Sequence, residues 1–152
     1  MAIKGSSMPT EKDPGNIWQD FLLQINPRKL PIVPREVPAE PGVYVWFREA
    51  QPVYVGKASG TNGLRSRLRS HLHEGTDFSR STFRASVAAA QLGIPRSFVR
   101  QRPSVMTLEQ AAVANEWLAG CEVGWLVCAS AEEAQRLEDA LRNEWLPPLN
   151  LV

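Results

Sequence analysis

The stretch that most constrains this chain is residues 42–72, GVYVWFREAQPVYVGKASGTNGLRSRLRSHL, because its hydrophobic period changes within it from that of a strand to that of a helix. Val43, Val45 and Phe47 alternate with Tyr44 and Trp46; beyond Pro52, Val53 and Val55 alternate with Tyr54. Alternate side chains of a strand point to opposite faces, so this period predicts a hairpin with Tyr44 and Trp46 on one face and Val43, Val45 and Phe47 on the other. A glycine-containing loop follows through Gly56, Gly60 and Gly63. Leu64, Leu68 and Leu72 then recur one turn apart as a helical stripe. At about 100° per residue, Arg67 and His71 stand together at one edge of that stripe, and Arg65 and Arg69 lie beyond the other. An arginine and a histidine one turn apart, near two tyrosines and Lys57, can surround an anion such as a phosphodiester.

Either side of this stretch the chain reads as shorter elements. Residues 1–15 are polar and rich in Gly, Ser and Pro, and are expected to be mobile and without chemistry. Asn16 with Gln19 reads as a cap, and Trp18, Phe21, Leu22 and Ile25 give an amphipathic helix of some ten residues that should dock on the main domain. Pro27, Pro31, Pro34, Pro38 and Pro41 make the next segment an extended connector. After the basic helix come a loop, a helix marked by Phe83, Val87 and Ala90 that stops at Gly93, an irregular basic loop over 94–106, and a helix opened by the Thr107–Gln110 capping box and closed by Gly120. Residues 121–129 alternate as a third strand. Ser130, with Glu133 three residues on, caps a last helix running to about Trp145, before Pro147 and Pro148. On that helix Ala134, Leu137, Leu141 and Trp145 form the buried stripe, and Glu138 falls about 40° from its centre. A carboxylate there is costly unless a cation or hydrogen-bond donors meet it.

A chain of 152 residues, 43% hydrophobic and 22% charged, suits one soluble domain with a real core. No apolar run approaches a membrane span of about 18 residues and the N-terminus lacks an apolar signal region, so a cytoplasmic protein without membrane contact is expected. Cys121 and Cys128 fall on one predicted strand, too far apart for a disulfide, and are expected to be reduced. The net charge of +1 is unevenly spread: from Lys57 to Arg102 nine cationic side chains meet only Glu74 and Asp77, a balance of +7 that leaves −6 for the rest. Such segregation suits a polyanionic partner, with Lys57, Arg65, Arg69, Arg80, Arg84, Arg96, Arg100 and Arg102 as candidate phosphate contacts. A solvated helical face would carry the same charges.

These motifs, in this order, resemble the GIY-YIG nuclease family. Gly42-Val43-Tyr44 stands where the family has GIY, and Tyr54-Val55-Gly56 where it has YIG, continued by Lys57-Ala58. The Leu64-to-His71 run matches the family's helix, making Arg67 its arginine and His71 its histidine or tyrosine, and Glu138 followed by Pro148-Leu149-Asn150 resembles its terminal element. The resemblance spans Pro41 to Asn150. It implies a mixed α/β fold, a three-stranded antiparallel sheet (43–47, 52–56 and 122–129) flanked by helices, with a helical insertion over about 74–120. Residues 39–152 would form the nuclease domain and 1–38 a tail, helix and connector.

The resemblance further implies DNA phosphodiester hydrolysis with one divalent cation, Mg²⁺ or Mn²⁺, held by Glu138. Arg67 would neutralise charge on the phosphoryl oxygens, Tyr44 would serve as general base once nearby cations lower its pKa, Tyr54 and His71 would position water and assist proton transfer, and Lys57 and Asn150 would complete the site. Alternatives remain open: a module on the same fold that binds nucleic acid without cutting, or a nuclease acting on RNA. Arg67 could instead pair with Glu138 as a structural salt bridge. His71 and His73 diverge by about 200° on a helix and make no metal pair. No zinc, P-loop or hydrolase-triad motif occurs.

Overall fold

The computed structural model describes residues 14–73 and 75–150; the first thirteen residues of the expected mobile tail lie outside them. The hairpin forms where period two predicts it. Strand β2 (Gly42–Arg48) pairs antiparallel with β3 (Gln51–Ala58), Tyr44 opposite Gly56 and Trp46 opposite Tyr54. A register shift next to Trp46 and Phe47 brings Phe47 opposite Pro52. Glu49 and Ala50 make the two-residue turn, both with positive φ (53° and 67°), which fits the twist of a tight hairpin but strains side-chain-bearing residues.

Strand β4 (Glu122–Val127) lies antiparallel on the other side of β2, and β1 (Arg28–Lys29) pairs with β4, so among the described residues the sheet has four strands in the order β1-β4-β2-β3 rather than the three expected. Two residues between prolines carry no readable period, which is why β1 is invisible in the sequence. The rest of the proline-rich segment is not wholly extended either, since Pro34–Glu36 forms a 3₁₀ turn.

The two faces of the hairpin bury separate clusters, as the alternation predicts. Tyr44, Trp46 and Tyr54 join Leu64, Leu68, Phe78, Phe83 and Val87, whereas Val43, Val45, Phe47 and Val55 join Trp18, Phe21, Ala134 and Leu141. The first face is thus covered by α2 (Gly63–Leu72) and the insertion helices α3 (Thr82–Leu92), α4 (Arg96–Val99) and α5 (Leu108–Ala119). The second is covered by α1 (Asn16–Leu23) and α6 (Ala131–Glu144). Both the α5 capping box and the Ser130 cap of α6 form as expected, and Gly93 ends α3 in the left-handed conformation at φ 67°.

Three local expectations are corrected. Asn16 does not cap α1: the cap position is Gly15, and the carboxylate of Glu144 on α6 accepts the N–H groups of Gly15, Ile17 and Trp18 at 3.1, 2.9 and 2.9 Å. A remote carboxylate does here what a local side chain usually does. Residues 96–99 form the short α4 within the expected irregular loop, and Ala90 of α3 faces solvent, so its inward residues are the run from Phe83 to Ala88. Cys121 and Cys128 flank β4 as buried free thiols; burial pushes the Cys121 thiol up to about 11. Among the described residues no helix is long and apolar enough to cross a membrane.

Candidate active site

A cleft of about 340 Å³ lies along the β3 edge of the sheet, lined by Tyr44, Tyr54, Lys57, Arg67, Glu138 and Asn150 together with Gly56, Thr82, Ser86, Arg96 and Arg142. Glycine makes the first contact possible. A Cβ on Gly56 would lie 2.3 Å from Tyr44 Oη and 2.4 Å from its Cζ, so Tyr44 reaches across β3 only because its cross-strand partner has no side chain. At Gly42 a Cβ would meet Leu126 O at 2.4 Å and Leu64 Cδ1 at 2.7 Å, and its absence lets α2, which carries Arg67, close on the hairpin. Edge strand β3 is covered by the chain end: Asn150 Oδ1 accepts the Val55 N–H and its Nδ2 donates to Val55 O, both at 2.8 Å, while Leu149 N–H donates to Val53 O at 3.0 Å. Asn150 thereby imitates a paired strand residue and braces the backbone between Tyr54 and Gly56.

Tyr44 is buried at 2% exposure, with Oη 2.6 Å from His71 Nε2. His71 is buried too, and its Nδ1 meets the hydroxyl of Ser81, the N-cap of α3. Ser81 Oγ already accepts the Arg84 N–H at 3.0 Å, so its own proton is best spent on His71 Nδ1, which favours the tautomer that donates from Nε2 to the Tyr44 oxygen. Burial, reinforced by the charges of Arg67 and Arg84, pushes His71 down to about 3, so the ring is neutral. Burial also raises the Tyr44 phenol well above its usual value; Tyr54 and Glu138 add to this and Arg67 opposes it. The lowered phenol expected of a general base is therefore not a property of these residues alone. Tyr54 Oη lies 2.7 Å from Thr82 Oγ1, and burial raises its phenol as well.

Glu138 is 7% exposed, and desolvation raises its carboxyl against the pull of Arg142, Lys57 and Arg67. Its ion-pair partner is Arg142 at 4.0 Å, one turn along α6; the alternative of a structural pair with Arg67, whose residue is exposed on α2, does not form among the described residues. The donor set bears on a metal. Among the described residues no group of three or more His, Cys, Asp and Glu comes together. A cation at Glu138 would take one carboxylate from the protein and complete its shell with water and substrate oxygens. That suits Mg²⁺ or Mn²⁺, hard ions that retain water, and does not suit a tetrahedral zinc centre.

The basic residues divide into groups that the sequence does not separate. Lys57 and Arg96 line the cleft. Arg69 and Arg80 line a neighbouring groove with His73 and Ser81, Arg80 lying 3.7 Å from Asp77. Arg65 donates from Nε to Val37 O at 2.8 Å and ties α2 to the connector. Arg100 and Arg102 are exposed but each donates to Ser79, at 3.2 and 3.0 Å. Arg84 is placed differently: at 1% exposure its guanidinium donates to Asp77 O, Gly75 O and Asn115 Oδ1 and lies 4.0 Å over the Phe78 ring, so both Nη atoms are spent on the interior, although the residue also borders the groove of Arg69 and Arg80. Sequence reasoning missed Ser81, Thr82, Ser86 and Arg142. The i,i+4 spacing of Glu138 and Arg142 was an available signal, whereas the α3 residues reach the site only by tertiary packing.

UvrABC system protein C of Synechococcus sp. (strain JA-3-3Ab) is 33% identical over 129 residues, covering 84% of this chain but 15% of that protein. The chain thus spans a small part of the length of the relative it matches. Among solved structures, the GIY-YIG N-terminal endonuclease domain of UvrC from Thermotoga maritima, bound to its catalytic divalent cation magnesium, is 24% identical with a TM-score of 0.43, covering 80% of this chain and 100% of that one. A point mutant of the same domain bound to its catalytic divalent cation is 23% identical, with a TM-score of 0.42 and 81% and 100% covered. Residues 42–152 match the family model described as the GIY-YIG catalytic domain. The match takes in both tyrosines, the α2 arginine, the α6 glutamate and the terminal asparagine, and the chain belongs to the GIY-YIG family.

Proposed function

We propose that this chain is a divalent-metal-dependent endonuclease that hydrolyses DNA phosphodiester bonds. The observation that carries the reading is the meeting, in one open cleft, of Tyr44, Tyr54, Lys57, Arg67, Glu138 and Asn150, which come from both faces of the sheet and from positions up to 106 residues apart. Glu138 holds the cation, Mg²⁺ or Mn²⁺, which when bound supplies positive charge to the phosphate oxygens and to water. Arg67, exposed at the mouth, neutralises charge that develops on the phosphoryl group. Tyr44 is the general base toward water. Its phenol, raised by burial, must first release its proton to solvent, and two features of the chain favour that ionised form, the Arg67 charge and the His71 Nε2–H, which stabilise the phenolate until it takes a proton from the attacking water. His71 stays neutral and acts by holding the Tyr44 oxygen, Tyr54 and Lys57 orient the substrate, and Asn150 keeps β3 in register.

One observation favours a second reading, a module that binds nucleic acid without cutting it: Tyr44 is almost sealed from solvent and its phenol resists ionisation. Purified protein incubated with supercoiled, linear and single-stranded DNA and with RNA, with and without Mg²⁺ or Mn²⁺, separates the readings. Metal-dependent nicking or cutting of DNA is expected. Salt-sensitive binding with no cleavage under either metal would leave the binding module, and cleavage confined to RNA would move the substrate.

A further inference from the structure

Part of the cleft wall comes from the insertion, through Thr82 and Ser86 of α3 and Arg96 of α4. Arg96 differs from its neighbours. Arg84 donates from both Nη atoms to Asp77 O, Gly75 O and Asn115 Oδ1, Arg100 and Arg102 donate to Ser79, and Arg142 pairs with Glu138. Arg96 is half-buried, its Nε is out of reach of water with no hydrogen-bond partner among the described residues, and no carboxylate there lies within ion-pair distance. Arg100 adds like charge nearby. A partly desolvated guanidinium without an anion costs stability, and a fold retains one where an incoming anion completes it.

We propose that Arg96, flanked by the Thr82 and Ser86 hydroxyls, forms a second anion subsite in the cleft that takes a phosphate neighbouring the one attacked at Arg67 and Glu138. The Tyr54–Thr82 hydrogen bond joins this wall to the motif tyrosines, so the strand gripped at Arg96 is aligned with the reacting centre. The family motifs supply the attack, and the insertion supplies the grip that sets where along a strand it falls. This assignment rests on the nuclease reading for the identity of its ligand, but its physical core, an anion site built on Arg96, does not.

The test uses inorganic pyrophosphate as the probe, by calorimetry on the whole chain without metal or DNA, with wild type and Arg96→Met. Loss of a charge-assisted arginine–phosphate contact weakens binding by about tenfold. A thermal melt of the free proteins accompanies it. Removing an unpaired, partly buried cation should leave the melting temperature of Arg96→Met unchanged or raise it, whereas removing a structural strut would lower it. Equal pyrophosphate affinity, no pyrophosphate binding by wild type, or a variant that melts several degrees early each overturns the subsite. A wild type that binds pyrophosphate through Arg96 yet cuts no DNA would leave the subsite standing and the nuclease reading alone refuted.

Discussion

Replacing Glu138 with Gln keeps the shape of the side chain and removes its charge, and the structure fixes the sign of the effect on stability. The side chains of Arg142 and Glu138 are 35% and 10% exposed and 4.0 Å apart, so solvent screens the pair into the range of surface ion pairs, about 0.2–1 kcal/mol. Desolvating a carboxylate costs up to several kcal/mol when burial is complete, so the charge of Glu138 is on balance a burden to the metal-free fold. The folded carboxyl is raised, which means stability is lost as pH rises through its titration, and the protein at neutral pH carries that loss. Glu138→Gln should therefore stabilise the metal-free protein by about 1 kcal/mol, or roughly 2–4 °C in melting temperature for a domain of this size. Magnesium at ten times its dissociation constant should add about 1.4 kcal/mol to wild type and nothing to the variant. Cleavage should fall by on the order of a hundredfold or more while DNA binding is retained or strengthened by reduced repulsion. Thermal melts and a plasmid-nicking assay, each with and without Mg²⁺, read all of this. A variant that melts several degrees early, with wild type indifferent to metal, would show a structural ion pair and sink the metal-ligand role.

The other expectations address the groups behind and around the cleft. His71 is held near 3 in the fold against about 6.5 when unfolded, so its contribution is complete above pH 6.5 and lost as pH falls toward 3; this site alone should cost about 2 kcal/mol by pH 5. Denaturant titrations from pH 8 to 5 on wild type and His71→Phe measure it, and an equal slope in both would refute it. Gly56→Ala should drive a methyl into the Tyr44 hydroxyl, costing roughly 1–3 kcal/mol and most of the activity, whereas Gly60→Ala, with nothing within 4 Å, should cost neither. Ala50→Gly should stabilise the hairpin by on the order of 0.5–1 kcal/mol because glycine accepts φ 67° without strain, as a shift in denaturant midpoint at constant slope would report.

The sequence by itself determined what depends on local period and local chemistry. Alternation at 43–47 set which residues of the hairpin share a face, and Tyr44 and Trp46 do bury apart from Val43, Val45 and Phe47. Side-chain caps at Thr107 and Ser130 marked where helices begin, and the spacing on α6 singled out Glu138 as the carboxylate in an apolar stripe. Net charge located a basic segment but could not rank its members, because charge says nothing of direction. Packing alone made Arg84 an interior strut, Arg100 and Arg102 anchors on Ser79, and Arg96 part of the cleft. Only the tertiary structure decided that Glu144 caps a helix more than a hundred residues away, that Arg142 rather than Arg67 pairs with Glu138, and that Ser81 and Thr82 stand behind the two motif tyrosines. Each of those contacts joins segments whose meeting is fixed by how helices cover a sheet. Burial raised the Tyr44 phenol for the same reason: desolvation is a property of the assembled interior and has no local signature in the chain.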